Sequence, residues 1–185
     1  MRAQILVAFV CLFAVTPAVA EEQSQAPETV PLQEVLQSVA RDEGLKFAVT
    51  AQAPVEIVVG ELEPDEITYR QLHTVLTNNA LAAVAVEDVI NIVPVSTIRQ
   101  YPLPTLSEPD DSIADDQWVT WIYQVKNASP TMFVPIMRPM LPQQGHLVAH
   151  PESGTIVMVD RYANTLRVVE LIEELDENSA TTAQQ

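Results

Sequence analysis

VKNASPTMFVPIMRPMLP (residues 125–142) is the stretch that decides the fold of the second half of this chain. It predicts a strand end, a turn and an amphipathic helix, although four prolines lie within it. Ser129 and Pro130 predict the helix start, because proline at the first helical position gives up an amide that has no partner there. Pro135 lies about one and a half turns further on, where its ring predicts a kink. The helix is predicted to bury Phe133, Ile136, Met137, Met140 and Leu141.

The segments around this helix complete a small unit over residues 118–177. WVTWIYQV, just before it, is rich in aromatic and β-branched residues, which favour a strand. HLVAH and TIVMVD predict a hairpin around the turn PESG. RYANTLRVVELIEELD has apolar residues one turn apart, which predicts a closing helix. The predicted order of this unit is βαββα, and the closing helix is predicted to bury Leu166, Val169, Ile172 and Leu175.

A preceding unit is predicted over residues 30–100. PLQEVLQSVARDEG has helical spacing, with Gly44 where the end of a helix favours a left-handed residue. LKFAVT and VEIVVG predict two strands, and TYRQLHTVLTNN predicts a helix with Thr68 as its N-cap. LAAVAVEDVINIVP predicts two further strands around a turn at Glu87 and Asp88. The order is αββαββ, and the fold class is α+β, with two small sandwiches of mixed sheet and helices.

The start of the chain predicts export. Arg2 precedes an apolar run too short to cross a bilayer, and small residues at positions 18–20 complete a secretory signal peptide over residues 1–20. Cys11 is the one cysteine of the chain and lies in that segment, so the mature protein is expected to lack disulfides and thiol chemistry. We expect a periplasmic protein without a membrane span after cleavage, free or held at the outer membrane through a partner.

The remaining segments are predicted to lack a packed fold. Residues 21–29 and 178–185 are polar and aperiodic, which predicts a flexible leader and a disordered tail. YPLPTLSEPDDSIADDQ (residues 101–117) contains three prolines and five acids. That composition predicts an extended, self-repelling linker between the two units.

The charge of the chain excludes some partners. There are 9 Lys and Arg against 25 Asp and Glu, a formal net charge of −16. Such a protein repels nucleic acid and anionic lipid headgroups, because attraction to phosphate needs positive charge. We therefore expect no nucleic-acid binding.

The residues of the second unit resemble a known family. VKNASPTMFVPIMRPMLP, GHLVAHPESGTIVMVD and LRVVELIEELD are similar to the N1 module of bacterial secretins, the outer-membrane channels of type II secretion and type IV pilus systems. Asn127, Pro135, Arg138, Asp160 and the Leu175-Asp176 ending match the family pattern. The resemblance implies a fold related to the RNA-binding KH domain, but the GXXG loop that grips phosphate in that domain is absent here.

The first unit resembles the N0 module that precedes N1 in secretins and that also serves as a signalling domain in some receptors. PLQEVLQSVARDEGLKFAV and the run from VEIVVG to NIVP carry this resemblance, although Glu87-Asp88 replaces the usual glycine or asparagine of the last hairpin. The order N0 before N1 implies a non-enzymatic component of an outer-membrane secretion or pilus machine. A periplasmic signalling adaptor is the alternative. No barrel-forming strands are present in the sequence, so we expect a separate piece of such a machine.

The implied partners are proteins, either a secretin or an inner-membrane platform component, and the N1-like unit implies a ring of identical copies. Small sheets with open edges can bind an extra strand. VEIVV supplies the candidate edge strand, with Ile57 and Val59, or instead Val58, turned toward a partner; an interior strand is the alternative. The candidate partner-binding residues are Glu56, Ile57, Val58 and Val59.

No residues predict catalysis, a cofactor or a metal site. His146 and His150 are predicted on one side of a strand, but no cysteine or acid completes a set of metal ligands. The acids of residues 110–116 lack the glycine-centred loop of a calcium site. Ser129 and Ser153 are predicted in a cap and a turn, without the partners of a nucleophile. His73 is predicted to be half-buried and structural.

Overall fold

The computed structural model describes residues 29–182, with side chains described as far as residue 179. The predicted signal peptide and all but the last residue of the predicted leader lie outside this range. We call residues 29–100 the first module, 101–117 the junction segment and 118–182 the second module. Within the described range, each helix is too short or too polar to cross a membrane.

The strands of the first module form two small sheets. In one, β1 (Thr29–Pro31) pairs antiparallel with β3 (Glu56–Val58). In the other, β5 (Val89–Pro94) lies between β2 (Phe47–Val49), which is parallel to it, and β4 (Leu81–Val86), which is antiparallel. The four predicted strands are confirmed, whereas β1 was not predicted because so short a strand has no readable periodicity.

The helices of the first module are also where the sequence predicts them. α1 (Leu32–Glu43) ends at Gly44, whose φ of 68° is the left-handed conformation that glycine adopts without steric cost. α2 (Tyr69–Asn78) begins with a capping box in which Thr68 and Gln71 exchange side-chain and backbone hydrogen bonds. Their apolar faces pack on the strands and bury Leu32, Val35, Leu36, Val39, Leu72, Val75, Leu76, Ile90 and Ile92.

A four-stranded sheet and one long helix organise the second module. The strand order is β6 (Thr105–Leu106), β7 (Trp118–Gln124), β9 (Thr155–Arg161) and β8 (His146–His150), and only the β6–β7 pair is parallel. α4 (Tyr162–Thr182) packs against β7 and β9. The predicted order βαββα is confirmed, with β6 added by the junction segment.

The proline-rich stretch is not the single kinked helix that we predicted. Two 3₁₀ turns, Pro130–Met132 and Arg138–Met140, flank a one-turn α3 (Val134–Met137). Pro135 and Pro139 are each the second residue of a new segment, as Pro130 is the first of its own. Because the first amides of any helical segment have no intrahelical partner, restarting the helix removes the usual cost of proline.

The broken helix also buries fewer residues than predicted. Phe133, Met137 and Leu141 are buried in the core of the second module. Ile136 is 49% exposed and Met140 is 37% exposed, so these two predictions are wrong. The change from α to 3₁₀ geometry alters the rotation per residue, which turns both side chains away from the sheet.

α4 runs farther than predicted. The helix continues through Thr182, so the first residues of the predicted disordered tail are helical. Val169 and Ile172 are buried as predicted, and Leu166 is partly buried. Leu175 is 38% exposed, whereas its neighbour Asp176 is 1% exposed. A buried carboxylate therefore takes the last inward position that we assigned to a leucine.

The junction segment is ordered by specific contacts, which corrects its prediction as an extended, self-repelling linker. The Arg70 guanidinium of α2 donates to the carbonyl oxygens of Asp111 (2.9 Å) and Ile113 (3.2 Å). Asp110 accepts hydrogen bonds from the backbone and side chain of Ser112, which lower the pKa of its carboxyl. Ala114 is buried. The Asp110 carboxylate thus holds the backbone in a turn, where we had predicted extension by repulsion.

The two modules meet through a third apolar cluster. Within the described residues, each module has a core of its own, and a separate cluster lies between them. Trp118 at the start of β7 is 3% exposed in this cluster. The first module supplies the facing side chains, which are Ala82, Val84, Val93 and Ile98. The modules are therefore packed together through a shared apolar contact.

Candidate docking surfaces

The candidate edge strand β3 has one strand neighbour. Thr29 lies opposite Val58 and Val30 opposite Ile57 in the antiparallel β1–β3 pair. β1 is the one strand that pairs with β3 in the described part of the chain. Among the described residues, β3 is therefore an edge strand, not the interior strand of the alternative, and no described strand covers its second edge.

Burial decides which side chains of β3 face outward. Ile57 is 1% exposed and Val59 is 8% exposed, and both belong to the core of the first module. Val58 is partly buried and Glu56 is exposed. Ile57 and Val59 are therefore core residues, so a partner would meet the backbone edge together with Glu56 and Val58. Their role in partner binding stays a prediction.

The Asn79 side chain occupies the backbone groups of Val58 on the second edge of β3. Its side-chain oxygen accepts from the Val58 amide at 2.9 Å, and its side-chain nitrogen donates to the Val58 carbonyl at 2.8 Å. The side-chain amide thus reproduces both hydrogen bonds of a neighbouring strand at one position. The sequence analysis missed this residue, because Asn78-Asn79 end the predicted helix and nothing near them in the sequence links them to β3.

The Glu56 backbone lies on the same edge as Val58. The Val55 carbonyl accepts from the Leu32 amide at 2.9 Å, on the side of β1 and α1. Since successive residues in a strand direct their backbone groups to opposite edges, Glu56 presents its N–H and C=O on the side of Asn79. No described strand pairs with this side. This short edge, from Glu56 to the bonds made by Asn79, is the open part of β3, and we call it the β3 edge.

Asp176 holds the loop before the proline-rich stretch. Its carboxylate accepts from the backbone amides of Lys126 (2.8 Å), Asn127 (3.0 Å) and Ala128 (2.8 Å). Burial raises the pKa of this carboxyl, but the hydrogen bonds from those amides outweigh burial, and its pKa lies below the ordinary value. The Asn127 and Leu175-Asp176 features of the sequence thus meet in one structural contact.

The two histidines considered as metal ligands lie on β8. His146 and His150 are both exposed on β8, and the His150 Nδ1 lies 2.9 Å from the Ser153 hydroxyl in the adjacent turn. No group of three or more metal-binding side chains lies together among the residues described. Ser129 makes no capping hydrogen bond, contrary to its predicted role as the side-chain cap, and instead lies 2.8 Å from the Thr131 hydroxyl.

His73 is more buried than predicted. It is 2% exposed, and its ring contacts Tyr69 edge to face at a centroid distance of 4.9 Å. Burial lowers the pKa of His73 to about 4, against the attraction of the Asp116 carboxylate and together with repulsion from Arg70. A neutral imidazole therefore belongs to the folded state, on the face of α2 that meets the junction segment.

The remaining acids of the junction segment contact both modules. Asp116 accepts from the Thr74 hydroxyl at 2.7 Å and pairs with Arg161 at 3.4 Å. Asp115 lies 3.9 Å from Arg70. These contacts connect α2 of the first module to β9 of the second through a single segment. They account for the acids as structural partners of cationic and hydroxyl groups.

Comparison with known proteins identifies similar chains. The family model described as the bacterial type II/III secretion system short domain matches residues 120–181. Secretin XcpQ of Pseudomonas aeruginosa is 26% identical over 152 residues, which cover 80% of this chain and 22% of that protein. Secretin GspD 2 of Escherichia coli is 32% identical over 116 residues, which cover 60% of this chain and 17% of that protein.

A solved structure has the same fold. The Klebsiella pneumoniae type II secretion system outer membrane complex, of PulD, PulS and the PulC HR domain, contains a chain that matches with a TM-score of 0.66 and 18% identity. The match covers 83% of this chain and 26% of that one. The chain therefore spans about a sixth to a quarter of the length of these proteins, and the activity of a whole secretin does not transfer to it directly.

Proposed function

We propose that this chain, which carries a bacterial type II/III secretion system short domain and is homologous to the N-terminal region of type II secretion secretins, is a non-enzymatic, periplasmic docking component of a secretion machine. The first module acts as the N0-like part and the second as the N1-like part. The predicted signal peptide over residues 1–20 delivers the chain to the periplasm.

The open β3 edge is the observation that carries this proposal. A short strand with one neighbour and an unpaired backbone on its other side is suited to accept a strand from another protein. Glu56 and Val58 stand at this edge, while Ile57 and Val59 anchor it in the core. The partner is a protein of the same machine, either a secretin or an inner-membrane platform component.

The contacts between the modules support a second role as a spacer of fixed geometry. Trp118 and its apolar neighbours, together with Arg70 and the junction segment, join the modules. A component held in this way presents the β3 edge at a defined distance from the second module. The second module in turn packs beside copies of itself in a ring.

The test is co-purification from the bacterium that encodes the chain. A tagged copy, expressed with its own signal peptide and cross-linked in cells, is expected to co-purify with a secretin or platform protein identified by mass spectrometry. Glu56→Pro removes the outward N–H and the side-chain hydrogen bond from the Thr29 hydroxyl, but it leaves the backbone pairing with β1 in place. It is expected to reduce that recovery by roughly tenfold, about 1.4 kcal/mol.

Glu56→Ala is the matched control, because it loses the same charge and the same side-chain bond from Thr29 but keeps the backbone donor. Equal thermal stability of both variants shows that the fold is intact. Recovery that is the same for Glu56→Pro and the unaltered chain contradicts the role of the β3 edge. A sizing column run at rising protein concentration tests the proposed ring. If copies of the chain assemble, species larger than a monomer are expected.

A further inference from the structure

The outer edge of β7 is covered only at its beginning. β6 pairs with it in parallel at two positions, Thr105 opposite Thr120 and Leu106 opposite Trp121. The Thr120 amide donates to the Pro104 carbonyl at 2.8 Å. The pairing then ends, and the chain bends at Ser107 and Glu108. The last part of β7 therefore continues without a strand beside it within the described residues.

The backbone of this uncovered part faces outward in a defined way. The Val125 amide donates to the Gly154 carbonyl at 2.9 Å, on the side of β9. Because alternate residues of a strand direct their N–H and C=O to opposite edges, Gln124 presents both groups on the outer edge. The preceding outward residue, Ile122, presents its carbonyl there beyond the end of β6. An added strand could therefore bond to one donor, the Gln124 N–H, and to two acceptors, the carbonyl oxygens of Ile122 and Gln124.

A groove borders this edge. It has a volume of about 570 Å³. It is lined by Tyr123 and Gln124 of β7, by Glu108 and Pro109 of the junction segment, and by Glu173 on α4. Ile122 at the edge is 41% exposed, which supplies an apolar contact for a neighbouring side chain.

The charges around the groove select the occupant. Glu108, Glu170 and Glu173 line it, with Lys126 as the one cationic side chain among the residues that line it. Burial and the carboxylates of Glu173, Asp176 and Glu177 raise the pKa of Tyr123, which agrees with a negative potential there. An extended segment that bears Lys or Arg is complementary to this rim, because charge complementarity favours specific association.

We propose that this groove, which we call the β7 groove, accepts an extended basic segment of a partner protein as a strand added to the Ile122–Gln124 edge. The added strand continues the line of β6, so it runs parallel to β7 and replaces the pairing that ends at Leu106. This site is separate from the β3 edge and does not depend on the proposed role of that edge.

The test uses the mature chain and a labelled peptide of about eight residues in which valine and lysine alternate. Fluorescence anisotropy at low salt is expected to show binding of this peptide and no binding of a valine–glutamate analogue. Glu173→Lys in the groove lining is expected to weaken binding by roughly tenfold, since it reverses a charge at the site. Glu174→Lys is the matched control on the exposed face of the same helix and is expected to have little effect.

A second pair of variants tests the backbone. Gln124→Pro removes the outward amide, while Gln124→Ala removes the same side-chain hydrogen bonds to the 153–154 turn but keeps that amide. Only the proline variant is expected to abolish peptide binding. The Gln124 amide of the unaltered chain is expected to gain protection from hydrogen exchange with peptide, and Glu56→Pro is expected to bind the peptide normally.

Three results overturn this proposal. Equal weakening by Glu173→Lys and Glu174→Lys means that the peptide is attracted to the net charge and to no particular site. Equal binding by the two Gln124 variants contradicts the pairing of the peptide with β7 as an added strand. Protection of the Gln124 amide at high protein concentration without peptide means that a second copy of the chain occupies the groove.

Discussion

The two modules protect exposed backbone by different chemical means. In the first, the neutral side-chain amide of Asn79 supplies both a donor and an acceptor to Val58 of β3. In the second, the carboxylate of Asp176 accepts three backbone amides of the loop after β7. The amide imitates a strand and leaves the adjoining edge open. The carboxylate fixes a loop, and the stabilisation that it provides depends on its charge and therefore on pH.

Removal of Asp176 is expected to have the largest effect. Asp176→Ala leaves three amide donors without their acceptor, so we expect a loss of roughly 2–4 kcal/mol in the free energy of unfolding. Denaturant unfolding measures this loss. Asp176→Asn keeps an acceptor oxygen and is expected to lose less; equal losses contradict a role for the charge.

The same carboxylate predicts acid sensitivity of the second module. The pKa of Asp176 is lower in the folded state than its ordinary value of 3.8. The stabilisation is therefore present above that ordinary value and disappears as the pH falls toward the folded pKa. Unfolding curves between neutral pH and acid are expected to converge for the unaltered chain and Asp176→Asn. A constant difference at all pH values is the contrary outcome.

His73 predicts a pH dependence at higher pH in the first module. Its pKa is about 4 in the folded state against 6.5 for an ordinary histidine, so the unfolded chain binds the proton more readily. Its contribution is complete above the unfolded value and falls between that value and about pH 4, by on the order of 3 kcal/mol. His73→Phe is expected to flatten this part of the stability curve, measured by denaturant unfolding at each pH. A parallel curve for the variant excludes His73 as the cause.

Asn79→Ala is expected to have a smaller effect on stability and an opposite effect on binding. It removes two partly buried hydrogen bonds to Val58 and one to the Val75 carbonyl, which is expected to cost roughly 1–3 kcal/mol. It also frees the whole β3 edge, so recovery of the β3 partner, or self-association on a sizing column, is expected to increase. Asn78→Ala is the neighbouring control. Reduced binding together with a folded variant contradicts the role of Asn79 as a partial cover.

Arg70→Ala is expected to have the smallest effect on unfolding. The Arg70 side chain is 55% exposed, so its contacts with the junction segment contribute about 1 kcal/mol or less. Its effect is expected to be local instead, with faster hydrogen exchange of the amides at 111–117. Arg41→Ala, at the exposed end of α1, is the matched control. Unchanged exchange in the junction segment contradicts its fixation by Arg70.

The regular elements could be predicted from the sequence because their information is local. The spacing of Leu32, Val35, Leu36 and Val39 defines α1, and Thr68 defines the start of α2, without reference to any distant residue. The alternating run in β9 is equally local. The order of elements in both modules followed from such signals.

The errors arose where distant residues determine the conformation. The acids of the junction segment suggested repulsion, but Arg70, Thr74 and Arg161 supply partners that are far away in the sequence. The prolines suggested a kink, whereas the chain restarts the helix at each one. Asn79 covers β3 from another element, so no local pattern marks it as part of that edge.

Hydrogen exchange of the mature chain, alone and bound to the secretion-machine component that co-purifies with it, tests the central claim most directly. The account predicts that the Glu56 amide exchanges rapidly in the free chain and becomes protected in the complex, while the amides of α1 stay unchanged. A complex in which the Glu56 amide exchanges as fast as in the free chain contradicts docking at the β3 edge.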